Sequence, residues 1–357
     1  MAMPRSSQVS IVDTPWYHVV NRCVRRAFLC GVDSYTGVSY EHRRQWIEDR
    51  VMQLSSVFCI DVVAFAIMNN HYHLVLHVDK ATAMSLSDDE VLLKWTEMFA
   101  STVLVRQYLD LKEKGEIVPG FLSRSVADTV SVYRNRLFDI SWFMRVLNES
   151  IARMANKEDE VKGRFWEGRF KSQAIMDESA LITVMAYVDL NPVRATIAED
   201  LASSDFTSIQ RRLEGRYEKI QAVVVDENYD HNVKIDDDLK ENDKAMNQFL
   251  ERLKGLPFSR LMPFYSAGSS LSVPFEYNDY IEFVDYMGRA VHPNKSGFIR
   301  GDIPSIVDKL NIDNSVVEAF QEGRFLSRFG NAIGGQDNLR NVGVNKGLRV
   351  ARLVFVA

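Results

Sequence analysis

Two histidines one residue apart, His71 and His73, have the clearest potential for chemistry in this chain. They stand in an apolar stretch in which residues 62–68 and 72–78 are typical of two strands joined by an Asn-Asn turn. Because side chains alternate between the faces of a strand, both imidazoles should project from one side and Tyr72 from the other. Two such imidazoles can bind one divalent cation, and the alternative is a hydrogen-bonded structural pair.

A second segment of interest runs from residue 177 to residue 195. Asp177 is a plausible N-cap, apolar residues recur at helical spacing, and Pro192 marks the predicted end of the helix. Tyr187 and Asn191 are four positions apart, so they should share a helix face. The tyrosine offers a hydroxyl nucleophile, and the asparagine offers an oxygen ligand.

Together these motifs resemble those of the single-tyrosine HUH transposases, in which U is a hydrophobic residue, and in particular the REP-associated tyrosine transposases. The resemblance rests on His71-Tyr72-His73, on Tyr187 with the Asn-Pro-Val-Arg-Ala segment 191–195, and on two further segments. Residues 15–22 are similar to that family's first strand, and residues 163–170 to its aromatic-basic segment. The match extends over residues 10–200.

The resemblance implies a set of roles for residues of this chain. It implies that His71, His73 and Asn191 bind a divalent metal, Mg²⁺ or Mn²⁺, and that Tyr187 is the catalytic nucleophile. The implied activity is cleavage and transfer of single-stranded or hairpin DNA through a 5′-phosphotyrosine intermediate. The implied fold is α+β, a ferredoxin-like antiparallel sheet with helices on one face and the tyrosine helix packed across it. A homodimer is also implied.

The chemistry of a tyrosine nucleophile is consistent with these roles. An ordinary tyrosine has a pKa of about 10, so only about one molecule in a thousand is phenolate at neutral pH. A cation on the scissile phosphate would act as a Lewis acid and stabilise the developing charge. Mg²⁺ prefers oxygen ligands, whereas two imidazoles favour softer ions such as Mn²⁺. Zinc is not suggested by the three cysteines.

Three other functions stay open at this stage. The protein could be a host-retained enzyme that processes repeated palindromes without mobilising itself. It could also be a non-catalytic DNA-binding regulator that retains the fold. The presence of His71, His73, Tyr187 and Asn191 together disfavours this, because loss of catalysis usually removes one of such residues. A metal-dependent hydrolase of small molecules would need neither the tyrosine nor an aromatic-basic segment.

The charge distribution leaves room for a nucleic-acid partner. The formal net charge is −5, and residues 226–244 alone carry eight acidic residues against three lysines, so the remainder is neutral overall. Cations can follow the phosphates of a strand while aromatic rings stack on its bases. The alternative is a solvated charged face over core aromatics. The predicted DNA contacts are Arg22, Arg25, Arg26, Arg164, Trp166, Arg169, Lys171 and Arg194.

The organisation of the chain follows from these motifs. With 357 residues, 46% of them hydrophobic, we expect a catalytic domain at 10–215, an acidic linker at 216–244 and a mainly helical C-terminal domain at 245–357. Residues 84–138 are predicted to be a helical insertion near the mouth of the site, either a lid or simple packing. Residues 324–357 include six basic residues and only one acidic residue, an aspartate. This excess of positive charge indicates a second DNA-contact surface or a solvated face.

Hydrophobic periodicity predicts strands and helices along the chain. Strands are expected at 15–20, 60–68 and 71–78, and helices at 40–57, 90–114 and 139–156. His18 and His77 lie in strand patterns and are interpreted as structural histidines. No apolar run approaches the roughly 18 residues that span a membrane. The three cysteines form no C-x-x-C pair, so we expect reduced thiols and a cytoplasmic protein that is nucleoid-associated when it binds DNA.

Overall fold

A mainly antiparallel sheet forms the centre of the protein. The computed structural model describes residues 10–24, 29–33, 35–199, 201, 203–213, 241–267, 271–291, 332–335 and 338–339. In that part of the chain the strand order is β2-β3-β1-β4-β5. The strands are β1 (Trp16–Arg22), β2 (Ile60–Ile67), β3 (His71–Val78), β4 (Lys171–Ile175) and β5 (Ala332–Ile333). Only the short β4–β5 pair is parallel among these.

The first four strands have the ferredoxin-like arrangement. Strand β3 lies between β1 and β2 and is antiparallel to both, and β4 adds to the other edge of β1. Helix α1 (His42–Val57) connects β1 to β2, and a helical region connects β3 to β4. This is the order expected of a split β-α-β unit. The predicted α+β class is therefore confirmed.

One face of the sheet is covered by α1 and by α6 (Ile140–Glu158). Both helices contribute to one large core together with the side chains of β1 and β3 that point to this face. The central members of that core are Tyr17, Val19, Ile47, Val51, Leu74, Leu76, Phe143 and Leu147. The predicted helices at 40–57 and 139–156 are thus present and begin one or two residues later than expected.

The predicted insertion, residues 84–138, extends the same layer. It contains the last two residues of α2 (Lys80–Ser85) and all of α3 (Asp88–Met98), α4 (Val103–Glu113) and α5 (Gly120–Leu137). Apolar side chains of these helices join the core of α1 and α6. The helix predicted at 90–114 is two helices, because Thr102 caps a new one by accepting a hydrogen bond from the backbone of Val105 at 3.3 Å. The insertion lies on the sheet face opposite His71 and His73. Its apolar side chains pack there with those of α1 and α6, and its identity as an insertion stays a prediction.

Helices also cover the second face, which differs from the predicted arrangement. This layer contains α7 (Glu178–Asp189), α8 (Asn191–Arg194), α9 (Ser208–Leu213) and, after α10 (Glu241–Lys254), α11 (Tyr277–Val291). Its core includes Ala64, Ala66 and Val75 of the sheet. Strand β2 buries apolar side chains on both sides, and β3 adds Val75 to the second face, so this face also needs a cover that removes it from water.

The C-terminal region contributes to both layers. Tyr280 and Phe283 of α11 belong to the same core as α7, and Phe249 of α10 stacks on Phe99 with ring centroids 5.3 Å apart. Residues 214–240, which hold most of the expected linker, lie outside the described residues, as do the basic residues between 324 and 357. The division into domains therefore stays a prediction.

The structure also bears on the expected reduced thiols and on the expected absence of a membrane-spanning segment. Cys23, Cys30 and Cys59 are free thiols, and all three are buried. Among the described residues, no helix is both long and apolar enough to cross a lipid bilayer.

Candidate active site

The second face of the sheet carries the two predicted ligand histidines. Residues paired across neighbouring antiparallel strands share a face, and the register sets Val20 opposite His73 and Arg22 opposite His71. The imidazole rings of His71 and His73 have centroids 4.9 Å apart at an interplanar angle of 74°. Tyr72 points the other way, is fully buried, and donates a hydrogen bond from its hydroxyl to Asn148 Oδ1 at 2.6 Å. Strand alternation thus separates these residues as expected.

The predicted nucleophile lies over this face. Tyr187 is on α7, and its ring centroid is 6.0 Å from that of His73. The helix begins as predicted, because the Asp177 side chain accepts a hydrogen bond from the backbone of Ala180 at 2.8 Å. Most residues of α7 are buried, whereas Tyr187 is only partly buried. Two motifs far apart in the chain therefore meet at one place.

The end of the tyrosine helix differs from the prediction. Helix α7 ends at Asp189, and the one-turn helix α8 begins at Asn191 after Leu190, whose φ and ψ are −86° and 0°. Pro192 lies in the first turn of α8, where its missing N–H leaves no helical bond unmade. It therefore does not end the first helix. Tyr187 and Asn191 consequently belong to two consecutive helices.

A buried carboxyl group that sequence analysis did not single out anchors this helix end. Asp189 accepts hydrogen bonds from the Ser208 hydroxyl, from the backbone of Ile209 at 3.0 Å and from the Tyr280 hydroxyl. Burial raises the pKa of Asp189, against the effect of these hydrogen bonds. The carboxyl group joins α7 to α9 and α11, two positions after Tyr187. An aspartate within an apolar helical run was its signal in the sequence.

His73 is held by a hydrogen-bonded chain across three strands. Its Nδ1 lies 2.9 Å from Nε2 of His18 on β1, and Nδ1 of His18 lies 3.0 Å from Oε1 of Gln173 on β4. His18 is 1% exposed and His73 is 5% exposed. The interpretation of His18 as a structural histidine agrees with these contacts. Its partnership with Gln173 has no signal in the sequence, because the two residues are far apart in the chain.

His71 is supported by the turn that precedes it. Its Nδ1 lies 2.6 Å from Oδ1 of the neighbouring Asn70. The turn itself is held by the buried guanidinium of Arg44, which donates to the carbonyl of Ile67 and to Oδ1 of Asn69, the latter at 2.5 Å. The hairpin that carries His71 is therefore fixed to α1 on the other side of the sheet.

The second structural histidine is also satisfied within the core. His77 is 7% exposed, and its Nδ1 lies 3.0 Å from Asp61 Oδ2. Its ring lies 4.4 Å from the Trp16 ring, centroid to centroid. These contacts agree with the structural role expected of His77.

The imidazoles of the site favour the neutral form. Burial, with a smaller effect of the Arg22 charge, lowers the pKa of His71 from 6.5 to about 4. Burial lowers the pKa of His18 to about 4 and that of His73 well below its ordinary value. For His73, nearby His18, His71, Arg194 and Arg22 add to the effect of burial. A metal ligand must be neutral imidazole, so these histidines are in the required state at pH 7.

The spacing of the two histidine rings is compatible with binding of one divalent cation. Two imidazoles that bind one ion through nitrogens about 2.1 Å away have ring centroids roughly 5 Å apart, close to the observed spacing. The Nδ2 of Asn191 is buried and has no hydrogen-bond partner among the described residues. Across the described part of the chain, no group of three or more His, Cys, Asp and Glu side chains is arranged for a metal. The donors would be two imidazoles and an amide oxygen.

Positive charges border the site. The guanidinium carbon of Arg194 lies 4.5 Å from the centroid of the Tyr187 ring. Arg22 is exposed at the end of β1, beside His71, and Lys171 is exposed at the start of β4. Arg164 and Arg169 are exposed as well. The remaining predicted cations, Arg25 and Arg26, lie outside the described residues.

Trp166 has a different environment from the one expected of a base-stacking residue. It is 9% exposed, and its indole N–H donates to the carbonyl of Asn148 at 2.8 Å. Its ring makes edge contacts with Tyr72 and Phe165, with centroids 5.7 and 4.9 Å away. A base cannot stack on a ring that is packed in this way. Trp166 is therefore a core residue that supports β1 and β3, and the expectation of base stacking is corrected.

No family model matches this chain, and no curated protein matches it. A solved structure of a REP-associated tyrosine transposase bound to a REP hairpin is similar to it, with 12% sequence identity and a TM-score of 0.33. The match covers 56% of this chain and 78% of that chain. With likeness at this level, the function has to be argued from the residues of the site.

Proposed function

We propose that this protein is a transposase-type enzyme, a metal-dependent single-stranded DNA endonuclease and strand transferase with Tyr187 as its nucleophile. One observation carries the proposal. The phenol ring of Tyr187 lies 6.0 Å from the ring of His73, which in turn lies 4.9 Å from His71. A partly buried tyrosine beside two neutral imidazoles is a suitable arrangement for phosphoryl transfer, in which positioning and charge stabilisation supply most of the catalysis.

The reaction proceeds by covalent catalysis in two steps. The Tyr187 oxygen loses its proton and attacks the scissile phosphorus, and the bond from phosphorus to the 3′ oxygen breaks. The DNA 5′ end is then a phosphotyrosine ester, and the leaving oxygen takes up a proton to become a 3′-hydroxyl. Because the ester is retained, a second 3′-hydroxyl can attack it, release Tyr187 and join the strands without another energy source.

The chain's own residues would perform two tasks in this reaction. His71, His73 and Asn191 would hold the cation, for which Mn²⁺ or Mg²⁺ suits a mixed nitrogen and oxygen donor set. When bound, such an ion supplies Lewis-acid polarisation of the phosphoryl oxygens. Arg194 beside Tyr187 and Arg22 beside His71 would attract the phosphate and stabilise the charge that develops on it.

The proposed substrate is single-stranded DNA with a hairpin or palindromic end. The exposed Arg22, Lys171, Arg164 and Arg169 supply charges that can follow a phosphate backbone past the site. Action on two DNA ends would require two active sites, so a homodimer is part of the proposal. A cytoplasmic location, at the nucleoid when DNA is bound, belongs to it as well.

The test is a covalent trapping experiment. Labelled single-stranded hairpins from the DNA that flanks the gene are incubated with the protein and Mn²⁺ or Mg²⁺, and the products are separated on a denaturing gel. The expected result is an SDS-resistant protein–DNA band that disappears with Tyr187→Phe and with a chelator. Tyr265→Phe is the matched control, because Tyr265 is 54% exposed and does not belong to the site.

The opposite outcome is equally informative. Binding of several hairpins with no covalent band in either metal would contradict the enzymatic proposal. It would instead support a DNA-binding regulator that retains the fold. A band that persists in Tyr187→Phe would assign the nucleophile to another residue.

A further inference from the structure

Three hydrogen-bonded side chains, those of Gln173, His18 and His73, lie on three neighbouring strands, β4, β1 and β3. The contacts are 3.0 Å from Gln173 Oε1 to His18 Nδ1 and 2.9 Å from His18 Nε2 to His73 Nδ1. Both histidine rings are nearly parallel, with centroids 5.2 Å apart and an interplanar angle of 14°. The strand register sets Gln173 directly opposite His18, so the backbone fixes this first contact.

The direction of both hydrogen bonds follows from the Gln173 side chain, at one end of this series. The Gln173 amide oxygen can only accept, so Nδ1 of His18 must carry the proton and donate it. A neutral imidazole has one N–H, which leaves Nε2 of His18 as an acceptor. Nδ1 of His73 must then donate to it, and Nε2 of His73 retains its lone pair.

We propose that Gln173 and His18 are positioning residues that fix His73 in the tautomer whose Nε2 is available for a metal ion. This inference rests on the proposed metal-binding role of His73 and extends it beyond the ligands. Ligand histidines commonly donate their other ring N–H to a partner that sets the tautomer and the ring orientation. Here the partner is itself a histidine, and its own state is set by an amide on the next strand.

His71 has a parallel arrangement, built independently. Its Nδ1 lies 2.6 Å from Oδ1 of Asn70, an acceptor, so its Nδ1 carries the proton as well. Nε2 of His71 therefore also keeps its lone pair. Two unrelated hydrogen-bond partners thus leave the same nitrogen of each histidine free of a proton, as shared binding of one ion requires.

The same contacts argue against His18 as a third metal ligand. Both of its ring nitrogens are engaged, one with Gln173 and one with His73. It would have to give up the bond to His73 in order to bind an ion. His18 therefore acts through His73 and does not touch the reacting atoms.

The first experiment reads the tautomers directly, with no metal and no DNA. Long-range ¹H–¹⁵N spectra of histidine-labelled protein at pH 8 distinguish a protonated Nδ1 from a protonated Nε2. We expect Nδ1–H for both His18 and His73. The variant Gln173→Met removes the acceptor with little change in size and should give a mixture of tautomers at both rings. The conservative variant Gln173→Glu keeps an oxygen acceptor at pH 8 and should preserve the original pattern.

The second experiment measures Mn²⁺ affinity without DNA, by titration followed with electron paramagnetic resonance. The variants Gln173→Met and His18→Phe should each bind Mn²⁺ about tenfold or more weakly, whereas Gln173→Glu should bind it as the unchanged protein does. His77→Phe is the matched control, because His77 is equally buried on the same sheet face and pairs instead with Asp61. Melting temperatures identify any variant that simply fails to fold.

The outcomes separate this inference from the proposed function. An Nε2–H tautomer of His73 in the unchanged protein would overturn the inference, even if the covalent DNA band forms. So would equal Mn²⁺ affinity in His18→Phe and His77→Phe. Conversely, the expected tautomers in a protein that forms no covalent DNA band would support the positioning role of Gln173 and His18. The same result would contradict the proposed nuclease function.

Discussion

The ring of Tyr187 lies 6.0 Å from the ring of His73, although the two residues are 114 positions apart in the chain. Between them in sequence come helices α2 to α6 and strand β4. Helix α7 brings Tyr187 over the sheet face that carries His71 and His73. The candidate site is therefore a product of the ferredoxin-like strand order and of one helix packed on its second face.

The first prediction concerns the cation beside the nucleophile. Replacing Arg194 with methionine keeps much of the side-chain length and removes the positive charge that lies 4.5 Å from the Tyr187 ring. We expect the single-turnover rate of covalent adduct formation to fall about tenfold to a hundredfold, because charge developing in the transition state loses a stabilising partner. Arg153→Met is the control, since Arg153 is on α6 and pairs with Glu149 at 3.1 Å. Equal rates in the two variants would remove Arg194 from the mechanism.

A second prediction concerns the anchor of the tyrosine helix. Asp189→Asn places an amide N–H among three hydrogen-bond donors, so we expect the free energy of unfolding to fall by about 2 to 4 kcal/mol. Tyr280→Phe removes one of those hydrogen bonds and should cost about 1 kcal/mol. Urea unfolding measures both. Tyr286→Phe, on the same helix, should leave stability nearly unchanged, and a cost as large as that of Tyr280→Phe would contradict the assigned anchor.

The third prediction concerns pH. The folded-state pKa of His18 is lowered from 6.5 to about 4, so the unfolded chain binds the proton more readily. The stability contributed by the neutral imidazole is complete above about pH 6.5 and is lost as the pH falls to about 4. At about 1.4 kcal/mol per pKa unit, the unchanged protein should lose about 3 kcal/mol more than His18→Phe between pH 7 and pH 4.

This comparison of two proteins is needed because other groups titrate in the same range. Burial raises the pKa of Asp49 to about 6 and also raises that of Asp189, which works in the opposite direction. Both carboxyl groups and His71 are common to the two proteins, so their effects cancel in the difference. His73 hydrogen-bonds to His18 and owes part of its lowered pKa to it, so the difference reports the His18–His73 pair. Parallel stability curves for the unchanged protein and His18→Phe would show that His18 is not protonated preferentially in the unfolded chain.

The fourth prediction separates surface charges from the core tryptophan. Arg22→Gln and Lys171→Gln should each weaken binding of single-stranded DNA and reduce the slope of log K against log salt by about 0.7, the amount for one phosphate contact. Trp166→Phe should lower the melting temperature, because it loses the hydrogen bond to the Asn148 carbonyl, and should leave the salt slope unchanged. Fluorescence anisotropy at several salt concentrations provides the measurement. Weaker binding by a fully stable Trp166→Phe variant would restore the base-stacking role.

Local pattern predicted the parts of the site that depend on a single element. The alternation of β3 determined that His71 and His73 share a face and that Tyr72 does not, because the period of a strand is two whatever surrounds it. The N-cap at Asp177 was likewise visible, because a capping side chain bonds to a backbone group three residues away. The end of α7 was not, because a proline that follows a helix can also begin the next one.

The sequence by itself determined the α+β class, the shared face of the two histidines and the helix that carries Tyr187. Only the tertiary structure decided that helices cover both sheet faces, that Trp166 belongs to the core, and that His18 links His73 to Gln173. It also decided that Asp189 joins the tyrosine helix to Tyr280 of α11. The physical reason is one of range: periodicity and capping act within a few residues, whereas hydrogen bonds between distant segments exist only after strand register and helix packing bring them together.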